Sequence, residues 1–381
     1  MNSPHKQHRS MSIAEYEVAS ARADQLPDDA LTPVRLGLFG EVGSLMATSK
    51  KLHREGNAYA AYAHAVIEEF GDTLWYLAAL SRRLGYKLED IIADASNGED
   101  VSSELVTSTL PEGPLAFVKS FTNHSTLDDL LLRLGRDAAA LLDQGSESSL
   151  QRELLIRFSR TYLMAVQACG IPFSAITHTN VEKTDGRFLT PDFDKLPVFD
   201  AEFPEEEQLP ENFRIEIKQR TNGKSYLRWN GVFIGAPLTD NIGDPDGYRF
   251  HDVFHLAHAA VLHWSPTFRG LISQKRKSDA KLDENEDGGR ATVIEEGLTA
   301  YIFSCAKDLK FFEGQSSVSF DLLKTIKNFV RGYEVERCPL WLWERAILEG
   351  YKVFRQIVAN NGGTVVGDRN TRTISYKAIQ E

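Results

Sequence analysis

The chain of 381 residues has an ordinary globular composition, 42% hydrophobic and 25% charged, and is long enough for two domains or one large core. The formal net charge of −11 argues against a protein that coats DNA or RNA, because that role needs a broad basic surface. The three cysteines show neither zinc nor disulfide spacing, no apolar run is long enough to cross a membrane, and the polar start lacks the apolar core of a signal peptide. We therefore expect a cytoplasmic protein that binds neither nucleic acid polymers nor membranes.

The first part of the chain is predicted to be helical. Apolar periodicity predicts helices over Ile13–Gln25, Pro33–Lys51, Ala58–Leu84 and Leu88–Ala95. The next stretch, Asn97–Gly113, is rich in Ser, Gly, Glu and Thr, which is typical of a linker. Helical periodicity resumes from Leu115 to Val181. We expect one helical domain over 12–190.

A weak internal repeat runs through this helical domain. Aligning Gly85 with Gly170 pairs apolar positions on both sides, which suggests one copy over 12–96 and a degenerate copy over 115–190. Upstream, a looser similarity pairs Leu36–Met46 with Leu131–Leu141. A tandem pseudo-dimer and a coincidence of amphipathic helices explain this pattern equally well.

The second half of the chain is predicted to form an α+β domain over 211–381. A linker over 191–210 precedes it, marked by four prolines and three consecutive glutamates. Strands are predicted at Arg214–Gln219 and Ser225–Trp229 (around an Asn-Gly turn), and at Val232–Ile234, Thr364–Val366 and Thr373–Lys377. Helices are predicted to dominate Tyr248–Ala359. The fold class is therefore mainly α, with an N-terminal all-α bundle and a C-terminal α+β domain carrying small β-hairpins.

Three acids in the first helices indicate a metal site. Glu69 and Asp72 are spaced i, i+3 on one helix face, and Glu41 lies on the preceding helix. Acids at this spacing often form only a solvated face, but here Phe70–Leu80 is apolar nearly all round, which predicts a buried helix. A carboxylate in such a bundle costs several kcal/mol unless it is paired or binds a cation. Oxygen ligands without His or Cys favour Mg²⁺, or Mn²⁺, over zinc.

Glycines flank these acids. Each glycine costs roughly 1 kcal/mol of helix propensity relative to alanine, so a packing reason is expected. We predict that Gly40, Gly43 and Gly71 let two helices approach closely.

The strings LGLFGEVGSLMATSKKLHREG (Leu36–Gly56) and EEFGDTLWYLAALSRRLGYKLEDI (Glu68–Ile91) resemble the MazG-type, all-α nucleoside triphosphate pyrophosphohydrolases. The resemblance implies cleavage of the α–β phosphate bond of an NTP or dNTP, which releases the monophosphate and pyrophosphate with Mg²⁺ held by an ExxE…ExxD set of acids. It implies that Glu41, Glu69 and Asp72 are metal ligands and that Glu69 or Glu68 is the catalytic base. The second acid of the set is replaced by Ser44, whose hydroxyl or a bridging water would have to complete the metal shell.

The same family carries an Asn-x-x-Lys and a downstream Arg that reach the nucleotide. This pattern matches Asn180, Lys183 and Arg187, which lie in the second copy. The resemblance thus implies one composite site, with metal ligands from the first copy and a substrate-binding arm from the second. A solvated helix end is the alternative for Lys183 and Arg187. Lys51 is a further phosphate candidate, although a lysine there also favours the helix dipole.

A histidine-rich segment marks a possible second site. His251, His255 and His258 share one predicted helix face, and Glu295 begins a later apolar helix. Such a set can bind a transition metal or form an acid–base pair, whereas hydrogen-bonded structural histidines are the plainer alternative. This half resembles the accessory domain found C-terminal to MazG-like modules.

The expected function is Mg²⁺-dependent hydrolysis of a nucleoside triphosphate, in nucleotide-pool control or phage defence. Two alternatives stay open: a nucleotide-sensing or interaction protein with weak turnover, and a second hydrolase site in the histidine-rich domain. The resemblance favours a homodimer, while a fused pair of copies would let a monomer suffice.

Overall fold

The computed structural model describes residues 11–96, 101–105, 119–121, 125–143 and 148–379. The chain divides into two compact units, Met1–Leu189 and Thr190–Glu381, and each has its own hydrophobic core. Across the described ranges, no helix combines the length and apolar character needed to cross a membrane.

The first unit is a helical bundle. Its elements are α1 Ile13–Arg22, α2 Leu31–Glu55, α3 Tyr62–Arg83, α4 Leu88–Ser96, α5 Leu127–Ala140, α6 Ser148–Ala168 and α7 Phe173–Phe188, with short strands β1 Val101–Leu105 and β2 Lys119–Phe121. The two strands pair antiparallel. Strand β1 lies in the predicted linker Asn97–Gly113, and the rest of that linker lies outside the described residues. Strand β2 lies near the start of the stretch predicted to be helical from Leu115.

Local chemistry explains where helices of this bundle begin. Ser12 caps α1 by accepting a hydrogen bond from the backbone N–H of Glu15, whose side chain accepts one in return from Ser12. Thr126 and Asp129 form the same capping box at α5. The apolar faces then pack α2 against α3 and α5, and α3 against α7.

Gly71 permits the closest approach of α3 to α7. A Cβ at this position would lie 2.9 Å from the Cβ of Asn180 and 3.4 Å from the carbonyl oxygen of Ile176. The expectation of a packing role for this glycine agrees with the contact, and α7 is the partner.

Gly40 and Gly43 differ from the expectation, because a Cβ at either would meet nothing within 4 Å. The glycine of α2 that a close approach does require is Gly37, where a Cβ would lie 2.1 Å from the ring of Tyr76. Helical periodicity could not distinguish these glycines, since the choice depends on which side of α2 faces α3.

The second unit combines helices with one antiparallel sheet. Its elements are β3 Asn212–Gln219, β4 Ser225–Trp229, β5 Val232–Leu238, α8 Asp252–Ala257, α9 Pro266–Leu271, α10 Ala280–Asn285, α11 Gly289–Lys307, α12 Phe320–Phe329, α13 Leu340–Asn360, β6 Gly362–Asp368 and β7 Thr373–Lys377. The strand order is β5-β4-β3-β6-β7, and α13 packs against α8, β6 and β7. The predicted fold class, mainly α with an α+β C-terminal part, is confirmed.

The two predicted hairpins join into this single sheet. Ile215 of β3 pairs with Trp229 of β4 on one side and with Val365 of β6 on the other. Ile215 is fully buried, so the junction lies over the core. The α8 helix continues into a π-helical turn, His258–Leu262, and ends at His263 in the left-handed conformation.

The segment 191–210, predicted as a linker, packs into the second core. Leu196, Phe199 and Leu209 are buried there. Asp200 accepts hydrogen bonds at 2.6 Å from both Arg269 and Arg369. The prolines and glutamates of this segment therefore mark an irregular but ordered part of the second unit.

Candidate functional site

Three carboxylates converge between α2 and α3. One oxygen each from Glu41, Glu69 and Asp72 lies within 4.8 Å of the others. All three side chains are half-buried. The i, i+3 spacing aims Glu69 and Asp72 in one direction, and the packing of α2 on α3 brings Glu41 to them.

The electrostatics of this cluster favour a positive charge beside it. Burial, followed by the charges of Asp72 and Glu69, raises the pKa of Glu41 to about 7, while Lys183 opposes that shift. Close carboxylates cannot all ionise without a compensating charge. An all-oxygen donor set fits Mg²⁺, so the residues present are suited to the expected metal.

Helix α7 supplies polar partners to the same carboxylates. The Nζ of Lys183 donates to Glu68 Oε1 at 2.9 Å and to Asp72 Oδ2 at 2.5 Å. The Nδ2 of Asn180 donates to Asp72 Oδ1 at 3.1 Å, and the Tyr16 hydroxyl donates to Asn180 Oδ1 at 2.8 Å. Burial opposes the charge on Lys183, but Asp72 and Glu68 outweigh it and raise the pKa of this lysine.

Sequence reasoning missed Tyr16, which is fully buried at the far end of this hydrogen-bonded chain. The only signal was its place in the opening Ser12–Tyr16, which resembles the start of the pyrophosphohydrolase family. Burial, with the charge of Asp72 a lesser cause, holds the pKa of Tyr16 well above its usual value, so its hydroxyl keeps its proton.

The remaining predicted site residues lie along the same helices. Ser44 is half-buried on α2, one turn beyond Glu41. Lys51 is exposed ten residues beyond Glu41, which is about 15 Å along the helix axis. The structure therefore does not bring Lys51 to the carboxylates. Arg187 follows Lys183 by one turn of α7, and its guanidinium lies 5.6 Å from the ring centre of Phe188.

Helix ends agree with the alignment proposed for the internal repeat. Arg83 and Ala168 end α3 and α6, and Leu88 and Phe173 begin α4 and α7, so both pairs keep the spacing of the Gly85–Gly170 alignment. Gly85 and Gly170 both have positive φ, +82° and +65°. The two helix–turn–helix segments therefore share the same turn length and the same left-handed glycine.

An ion pair stands in the second copy where the first copy has acids. Arg157, aligned with Asp72, contacts Asp137 at 2.8 Å, and the Thr161 hydroxyl donates to Asp137 at 2.7 Å. Burial along α5 matches α2 when Glu41 is paired with Asp137, one residue away from the alignment proposed from the sequence. The buried sets are Val34, Leu38, Val42 and Leu45 in α2, and Leu130, Leu134, Ala138 and Leu141 at or just after α5. The guanidinium of Arg157 therefore compensates the charge of the buried Asp137.

A second polar cluster lies in the other unit. Glu295 of α11 places Oε1 2.9 Å from His258 Nδ1 and 3.1 Å from His255 Nδ1. Glu296 places one oxygen 3.3 Å from His255 Nε2 and the other 3.5 Å from His251 Nε2. The structure thus brings all four predicted residues together, and Glu296 is an addition.

Charge compensation governs this second cluster. Burial acts to raise the pKa of Glu295, but His255 and His258 outweigh it and lower the value to about 2. Burial likewise acts against a charge on His255, but the two glutamates raise the pKa of its ring well above the usual range. Donor atoms of His255, His258 and Glu295 lie within 4.8 Å of one another, as do those of His251, Asp252 and His255.

Comparison with known families identifies the second unit. Residues 194–380 match the family model described as MazG C-terminal domain. In comparisons with curated proteins and with solved structures, nothing matches the chain. The matched range covers nearly all of the second unit, including its sheet and its histidine cluster. The second unit is therefore a MazG C-terminal domain, and this match supports a MazG-associated protein.

Proposed function

We propose that the first unit hydrolyses nucleoside triphosphates, NTP or dNTP, to the monophosphate and pyrophosphate. The observation that carries this proposal is the convergence of Glu41, Glu69 and Asp72, whose oxygens lie within 4.8 Å of one another. The link to a MazG C-terminal domain supports a nucleotide-related role for the whole chain.

Glu41, Glu69 and Asp72 would hold Mg²⁺, with Ser44 or waters completing the shell. When bound, the metal neutralises phosphate oxygens and lowers the pKa of a water. Asn180 holds one oxygen of Asp72 and so orients this carboxylate.

The reaction adds the oxygen of a water to the α-phosphorus and breaks the bond from that phosphorus to the α–β bridging oxygen, so that pyrophosphate leaves. Glu69, half-buried within the carboxylate cluster, is our candidate to orient the water and accept its proton. Glu68 is more deeply buried and ion-paired with Lys183 at 2.9 Å, which assigns it to positioning that lysine. Lys183 in turn carries the positive charge available to a phosphate group.

The experiment is a panel of NTPs and dNTPs incubated with the full chain and Mg²⁺, with pyrophosphate release as the readout. Glu69→Gln keeps the shape of the side chain but removes its charge, and we expect at least about a 100-fold loss of kcat/KM. Glu55→Gln, at the exposed end of α2, is the matched control and should retain activity. Nucleotide binding by the wild type without pyrophosphate release from any substrate would instead favour a nucleotide-sensing protein.

A further inference from the structure

We propose that the MazG C-terminal domain holds a divalent transition metal of the zinc type between its π-helical turn and α11. The ligands are His255, His258 and Glu295. This site is separate from the carboxylate cluster of the first unit, and its role would be to stabilise the fold of the second unit.

The donor atoms are spaced for one ion. Glu295 Oε1 lies 2.9 Å from His258 Nδ1 and 3.1 Å from His255 Nδ1. Zinc bonds to nitrogen and oxygen are about 2.0–2.2 Å long, so tetrahedral ligand atoms lie about 3.3 Å apart. A few tenths of an ångström of expansion would therefore seat the ion. Two imidazoles and a carboxylate suit zinc and its neighbours better than Mg²⁺.

Surrounding groups orient these donors. The other oxygen of Glu295, Oε2, accepts hydrogen bonds from the Ser265 hydroxyl at 3.1 Å and from the Thr267 backbone N–H at 2.9 Å. This leaves Oε1 directed at the two histidines. The far nitrogen of His255, Nε2, faces Glu296 at 3.3 Å, the arrangement in which a carboxylate aligns a metal-binding imidazole.

The three proposed ligands are polar side chains that are almost completely buried, which is costly unless they are paired or bind a metal. Exposure is 0% for His255, 3% for His258 and 0% for Glu295. Both ring nitrogens of His255 are buried without a hydrogen-bond partner, although carboxylate oxygens stand nearby. A buried polar atom left without a partner destabilises the fold, and a metal bond removes that cost. A protonated His255 held by two hydrogen bonds is the competing arrangement, but these contacts lack the alignment of hydrogen bonds.

A second donor group lies beside this one. Donor atoms of His251, Asp252 and His255 also lie within 4.8 Å of one another. Structural zinc is four-coordinate, so one further donor would complete the three ligands named here. The metal would connect α8 and its π-helical turn to α11.

The test uses the full chain, dialysed against excess Mg²⁺ and analysed for bound metals by mass spectrometry. We expect about one zinc ion per chain, retained in Glu69→Gln and in His263→Asn, a matched buried histidine outside the cluster. His258→Ala and Glu295→Gln should lower the zinc content at least about tenfold. Chelation of the wild type should lower its Tm by several degrees, and zinc should restore it.

Cobalt provides a readout that does not depend on folded variants. Metal-depleted wild type loaded with Co²⁺ should show the visible absorption of a low-symmetry site with nitrogen ligands. Absence of both zinc retention and this absorption in the wild type would overturn the proposal. Loss of zinc from the Glu69→Gln variant would show that the metal binds in the first unit, and this too would overturn the proposal. Pyrophosphate release tests the first unit independently.

Discussion

Lys183 places a positive charge beside the carboxylates of the proposed metal site. Its ammonium contacts Asp72 at 2.5 Å and Glu68 at 2.9 Å, and the raised pKa keeps it charged at neutral pH. This charge offsets part of the repulsion among the acids, but it also competes with a metal for Asp72. In the proposed site, Lys183 would therefore influence both substrate binding and metal binding.

Lys183→Ala separates these two effects. We expect kcat/KM for the best nucleotide to fall by about 100-fold, because a phosphate loses its positive partner. Mg²⁺ should bind more tightly, because the ammonium no longer competes for Asp72. Pyrophosphate release and a Mg²⁺ titration measure both, with the exposed neighbour Glu182→Gln as control. Full turnover with unchanged affinities would contradict the assigned role.

We expect His263 to make the stability of the second unit sensitive to acid. Burial, and then Arg369 and Arg372, lower the pKa of its ring to about 3, and its Nε2 lies 2.8 Å from the carbonyl oxygen of Arg369. In the unfolded chain the ring titrates near pH 6.5. The unfolded state therefore binds the proton first, so stability is fully present above pH 6.5 and is lost as the pH falls toward 3.

We expect the free energy of unfolding to fall by about 2 kcal/mol from this residue between pH 6.5 and pH 5. His263→Asn removes the titrating group at a left-handed position that asparagine tolerates, and its amide can still donate to the Arg369 carbonyl. Denaturant unfolding at pH 7 and pH 5 gives the comparison. An equal loss in the variant would show that other groups cause the acid sensitivity.

Among the elements, the contact of α3 with α7 decides the geometry of the carboxylates. Gly71 lets Asn180 approach, and Asn180 then reaches Asp72 at 3.1 Å. In the second copy, the Asp137–Arg157 pair fills the corresponding position. Asp137 is thus paired within the bundle, whereas Glu41, Glu69 and Asp72 form the proposed metal site.

Gly71→Ala should destabilise the first unit by about 1–3 kcal/mol, because the new methyl group overlaps Asn180 and nears a backbone carbonyl. Gly43→Ala is the matched change at an open helical position, and it should stabilise by up to about 1 kcal/mol. Denaturant midpoints measure both. A stabilising Gly71→Ala would mean that α7 moves aside without cost.

At the scale of the whole molecule, the chain has two cores rather than one. One gathers apolar side chains of α1 to α7, and the other gathers those of the segment after Leu189. Each core is large enough to support cooperative unfolding.

Calorimetry should therefore resolve two transitions. Gly71→Ala should shift one of them, and His263→Asn at pH 5 should shift the other, because the two substitutions lie in different cores. Wild type at pH 7 provides the reference scan. A single transition that both substitutions shift equally would contradict this division.

Local features were predictable because they depend on neighbours in the chain. The start of α4 and the bounds of the strands β4 and β7 follow from apolar periodicity and turn residues. The shared face of Glu69 and Asp72 follows from helix geometry. The Asn222-Gly223 turn likewise predicted the β3–β4 hairpin.

The sequence by itself determined the helices, the hairpins and the i, i+3 acids, since these follow from repeats of 3.6 and 2 residues and from turn chemistry. Only the tertiary structure decided that Asn180 and Lys183 meet Asp72 across more than 100 residues, that β3 pairs with β6, and that Glu296 joins the histidines. Helical periodicity predicts an apolar face but neither the element it packs against nor the register, and a one-residue shift between α2 and α5 decides whether Arg136 or Asp137 is aligned with Glu41. Packing of side chains in the two cores supplies that missing choice.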